Sequence, residues 1–130
     1  EVEEPDPDDD ADPADALIPI QNEALRAVKR VLVELQNETL EHLRVDTAWE
    51  PDEAFTNRFE PAFDELGSKA EVPTTGMGSA FGTDLYDALT SALEASRESG
   101  AGERQVAAAA SRIFRTWRSD EAERRVMGIG

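Results

Sequence analysis

Cysteine is absent from the 130 residues, and histidine occurs once, at His42. This inventory excludes disulfides, thiolate metal sites and thiol nucleophiles. Small secreted folds commonly rely on disulfides, so their lack points to a cytoplasmic setting. No apolar run approaches the roughly 18–20 residues that a membrane span requires. The chain opens on Glu1 without a basic segment leading into an apolar one. No signal peptide is therefore expected, and the chain reads as part of a larger protein.

What the chain has in excess is acid. It carries 29 acidic against 13 basic residues, for a formal charge of −16. Nine of those acids fall within the first 15 positions, where no base occurs. Residues 1–16, with three prolines and almost no apolar side chains, cannot offset their chain entropy by burial and read as a disordered acidic linker. Residues 17–130 read as one helical domain. An acidic body argues against nucleic acid as a general partner, because neutralising phosphate supplies most nonspecific affinity.

The longest uninterrupted helical pattern is predicted over 19–44. Ala24, Leu25, Val28, Val31, Leu32, Leu35 and Leu43 share one broad face of it, interrupted by Thr39 and His42. Val33 and Leu40 fall off this stripe, near Lys29 and Gln36. The second apolar edge implies contact with more than one neighbour, or a dimer seam. Leu25, Val28, Leu32 and Leu35 also step in coiled-coil fashion, but the next seam positions are polar, which favours a bundle over a zipper.

A second helix is expected over 51–66, carrying Phe55, Phe59 and Phe63 at four-residue steps, with a split near Glu60 caused by Pro61. Gly67 is its expected C-terminal cap. Residues 68–82, with three glycines and a proline, read as a flexible loop. Gly76, Gly78 and Gly82 suggest a phosphate-cradling loop only superficially, since no strand precedes them and the lysine of such loops is missing. A third helix over 83–98, capped by Thr83, and a fourth over 103–126 complete an all-α, up-and-down bundle of about four helices.

Catalytic chemistry finds no purchase in this pattern. Glu38 and His42 share a face at the spacing that zinc-binding helices use, with Asp46 one turn on. One histidine without cysteine seldom builds a metal site, so no metal, cofactor or catalytic residue is assigned and the chain is read as a non-enzyme. The main basic stretch is the last helix, where Arg104, Arg112, Arg115, Arg118, Arg124 and Arg125 gather around Phe114 and Trp117.

The pattern Lys29-Arg30-x-Leu32-x-x-x-Gln36-Asn37-x-x-Leu40-x-x-Leu43-Arg44 resembles a segment of actinobacterial DivIVA-like coiled-coil proteins. The arginine-rich run from Phe114 to Arg118 is similar to the same proteins. Their membrane-binding N-terminal domain is absent from this stretch. The resemblance implies a cytoplasmic scaffold role in polar organisation or cell division, and it carries over no site residues.

The expectation is therefore a helical interaction or scaffold domain that meets a protein partner, or a second copy in a homodimer, through its first helix. The candidate contacts are Lys29, Val33, Gln36 and Leu40 on that helix and Arg112, Arg115 and Arg118 on the last. Exposure of Val33 and Leu40 together would support it. The alternatives are a metal-dependent bundle enzyme using Glu38 and His42, and a nucleic-acid regulator acting through the last helix.

Overall fold

The structure, a computed structural model, describes residues 13–129, and these are almost entirely helical, with no strand. Helix α1 spans Pro13–Val45. A 3-10 turn at Glu53–Asn57 leads into α2, Glu60–Ala70. Helix α3 runs over Met77–Glu98 and α4 over Glu103–Thr116. A π turn at Trp117–Glu121 joins α4 to α5, Ala122–Met127.

These elements make four rods, the 3-10 turn with α2 being the second and α4 with α5 the fourth. Helix α1 packs on α2 along one flank and on α4 and α5 along the other, while α3 packs on the 3-10 turn, α2 and α4. Two side-chain bonds fix the direction of the fourth rod. Gln36 accepts from the Arg118 guanidinium, and the Gln21 amide donates to the Met127 and Ile129 carbonyls at 3.2 and 2.6 Å. As numbers fall along α1 they rise along α4 and α5, so the rods are antiparallel. The up-and-down bundle is the observed fold.

The α1 stripe is buried at Ala24, Val28, Leu32, Leu35 and Leu43, and Thr39 is buried with it. Opposite lie the buried phenylalanines Phe55, Phe59 and Phe63, with Phe81, Phe114 and Trp117. The ring centroids of Phe59 and Phe81 stand 4.6 Å apart, and Trp117 meets Phe81 edge-on at 5.1 Å. Large aromatic surfaces of this kind dominate core energetics.

Four boundaries depart from expectation. Helix α1 is described from Pro13, earlier than the expected start at 19, and Pro19 sits within it. The rest of the acidic tail, residues 1–12, lies outside the described residues. The second helix does divide before Pro61, but as a 3-10 turn followed by an α-helix that runs on to Ala70. Glu71, at φ 57°, makes the left-handed cap expected of Gly67. The loop expected over 68–82 shrinks to 71–76, because α3 starts at Met77 with Gly76, not Thr83, as its cap.

The glycines explain that last departure. Gly78 and Gly82 lie one turn apart on the face of α3 that meets the second rod. A Cβ on Gly78 would come within 2.6 Å of the Glu60 Cα, and one on Gly82 would overlap the Thr56 carbonyl oxygen. Their missing side chains let two backbones touch, and the packing gained there outweighs the poor helix propensity of glycine.

The π turn has a similar origin. At about 100° per residue, Ala122 and Val126 would lie about 140° and 180° round from Trp117 in a straight α-helix. All three are nevertheless buried. One wider turn, closed by the Ala122 N–H donating to the Trp117 carbonyl, sets the later residues back onto the core side.

Candidate functional site

The titratable side chains nominated for metal chemistry are engaged elsewhere. The Arg58 guanidinium donates to both Glu38 carboxylate oxygens, at 2.9 and 3.0 Å, and reaches Glu34 at 3.5 Å. That hydrogen bonding holds the Glu38 carboxyl below its ordinary range, despite partial burial that opposes it, and pushes Arg58 up. His42 instead stacks flat on Trp49, with ring centroids 4.8 Å apart. Asp46 accepts the Ala48 N–H at 2.9 Å and so turns the chain after α1. A concavity of about 310 Å³ does adjoin Glu38, His42, Asp52 and Arg58. No group of three or more side chains of the metal-binding types converges there or elsewhere among the described residues.

Another concavity, of about 580 Å³, lies at the opposite end of the bundle. Leu17, Ile18, Ala70, Val72 and Ile129 line it, with Lys69 and Glu71 also present. Lys69 pairs with Glu65 at 2.8 Å and Glu23 at 3.0 Å. This is an open apolar recess without a set of convergent catalytic groups.

The seven residues nominated for partner contact occupy adjoining helices. Lys29, Val33, Gln36 and Leu40 are on the α1 flank that meets the fourth rod, and Arg112, Arg115 and Arg118 are on that rod. The bond between Gln36 and Arg118 ties the two sets together, so both of these residues already have an internal partner. Val33 is 43% exposed, whereas Leu40 is half-buried and packs against the core. The two therefore do not form a free apolar seam.

Arg112 and Arg115 are fully on the surface, and Arg104 joins them. Residues 104–119 hold four arginines and no acid. Each of these four lacks an ion pair among the described residues. Arg125, on the same rod, is engaged instead. Arg125 donates to Asp84 at 2.7 Å and Glu121 at 3.1 Å while lying 4.9 Å from the Trp117 ring centroid. Glu121 is pushed up by burial, but hydrogen bonds from Arg124 and Arg125 prevail and hold its carboxyl below the ordinary range.

Two features escaped the sequence reading. The pairing of Arg58 with Glu38 links residues twenty apart and leaves no local signature. The five-residue step from Trp117 to Ala122 did carry one, since a core stripe that skips a residue marks a π turn. No helix among the described residues is long and apolar enough to cross a membrane. Comparison with family models, with curated proteins and with solved structures returned no match.

Proposed function

We propose that this chain is a non-enzymatic helical interaction domain of a larger protein, and that it meets an acidic protein partner through the outer face of α4. The observation that carries this reading is the exposed arginine set Arg104, Arg112 and Arg115, which has no acidic partner among the described residues of a chain where acids outnumber bases two to one. Guanidinium forks suit carboxylates, and a charged face on a rigid helix sets orientation and on-rate when a partner docks. The likeness of residues 29–44 to DivIVA-like proteins supports placing such a domain in a scaffold for division or polar organisation.

The test is fluorescence anisotropy of a labelled poly-glutamate peptide titrated with the chain. Saturable binding is expected, weakened at least about tenfold in Arg112→Ala/Arg115→Ala, which corresponds to about 1.4 kcal/mol. Absence of binding by a folded wild-type chain would overturn the reading.

A further inference from the structure

We infer that the arginine face of α4 receives residues 1–12 from a second copy of this chain, making segment and face two halves of one self-association site. This inference rests on the interaction reading above and names its partner.

The first argument is complementarity. Residues 1–12 carry eight carboxylates and no base. The face offers Arg104, Arg112, Arg115 and Arg118 with no acid between residues 104 and 119. Arg44, Arg58, Lys69, Arg97, Arg124 and Arg125 each have an acidic partner within the described chain. Arg26, Lys29 and Arg30 on α1 also lack an ion pair among the described residues, but the α4 set is the larger, four arginines over an acid-free span of 104–119. Bidentate geometry makes arginine the residue best matched to a run of carboxylates.

The second argument is reach, and it decides between a segment's own body and a neighbour's. Gln36 marks the level of Arg118, and it lies about 35 Å along α1 from Pro13 at 1.5 Å per residue. On the same rise, Arg112 is about 9 Å further from Pro13 and Arg104 about 21 Å further. Twelve residues span at most about 40–43 Å when fully extended. A segment leaving its own α1 would therefore have to be fully extended to pass Arg118 and Arg115, would end near the level of Arg112, and would fall short of Arg104 by more than about 10 Å. A segment from a second copy has no such tether and can lie along the whole face.

The third argument concerns the shared negative charge of the copies. At 0.01 M salt the screening length is about 30 Å, and net repulsion between two such bodies extends across the complex. At 0.1 M it is about 10 Å, so distant like charges are screened while carboxylates touching guanidinium groups retain their attraction. At 1 M, with about 3 Å, the contacts themselves weaken. Association should therefore pass through a maximum near 0.1 M salt rather than decline steadily.

Sedimentation equilibrium of the full chain at these three salt concentrations tests the proposal. The expected result is a weight-average mass above the 14.2 kDa monomer at 0.1 M, falling towards it at both extremes. Asp8→Lys/Asp9→Lys/Asp10→Lys and Arg112→Glu/Arg115→Glu should each be monomeric alone. Their equimolar mixture should associate again, because the unchanged acidic segment of the arginine variant then meets the unchanged arginine face of the lysine variant. Circular dichroism checks the fold of the arginine variant, with Arg112→Gln/Arg115→Gln as the milder substitute.

A wild-type chain monomeric at all three salt concentrations would overturn the proposal, as would association that survives the lysine changes or a mixture that stays monomeric. If the monomeric chain still bound poly-glutamate through Arg112 and Arg115, the interaction reading would stand and only its assigned partner would fall. Duplex DNA held by those arginines, with no self-association, would overturn the partner too.

Discussion

Arg125 and Arg115 stand ten residues apart on the same rod and live in opposite surroundings. Around Arg125 everything is engaged: rings below it, Asp84 and Glu121 beside it, and nearby two backbones in direct contact at Gly78 and Gly82. Arg115 is exposed and has no ion pair among the described residues. The contrast separates arginine that stabilises this fold from arginine that the fold does not use. A cation over an aromatic face with two carboxylates has lost much of its competition from water, whereas an exposed one contributes little to folding.

The sharpest way to test the cemented region is Gly82→Ala. Alanine would ordinarily favour a helix interior by up to about 1 kcal/mol over glycine. Here the added methyl meets the Thr56 backbone, which cannot swing aside as a side chain would. A net loss of about 2–3 kcal/mol is expected in urea unfolding, in the range of overpacked cores. Unchanged or increased stability would show that the close approach is not a constraint.

Arg125→Ala comes next. It removes packing over Trp117 and Phe81, and it leaves Asp84 without its partner. The expected cost is about 1–2 kcal/mol, or a fall in Tm of about 3–8 °C for a domain of this size. A loss no larger than that of Arg115→Ala would erase the distinction drawn between them.

The smallest expected effect is at Arg58. Its partner Glu38 has a folded-state carboxyl below the ordinary range, so the stabilisation is present above the unfolded-state value of that carboxyl and fades as pH falls through the lowered one. Because both side chains remain partly exposed, about 0.5–1 kcal/mol is expected at neutral pH. Arg58→Ala should match wild type at low pH and fall behind it as pH rises towards neutral. A gap that stays constant across that range would assign the effect to packing instead of charge.

Much of the fold was legible in periodicity. The apolar positions of α1 from Ala24 to Leu43 and the phenylalanine steps at 55, 59 and 63 face the core because a side chain's place on a helix follows directly from its number. What periodicity could not supply was pairwise contact. Gly76, Gly78 and Gly82 look like a loop in isolation, and only a neighbouring backbone turns two of them into helix residues. Thr39 and Gln21 interrupt the stripe by polarity, yet both are buried, Gln21 because two terminal carbonyls accept its amide protons. The candidate surface was legible in part. The charge of Arg112 and Arg115 could be read directly, while the half-burial of Leu40 against the core depended on tertiary packing.

The central claim is that the Arg112 and Arg115 side of α4 exists for docking and contributes nothing to folding. It is tested most directly by measuring Tm and poly-glutamate affinity on the same preparation of Arg112→Ala/Arg115→Ala. The account predicts a stability within about 0.5 kcal/mol of wild type, as for ordinary surface changes, with affinity reduced at least about tenfold. A clear fall in Tm with affinity unchanged would contradict it.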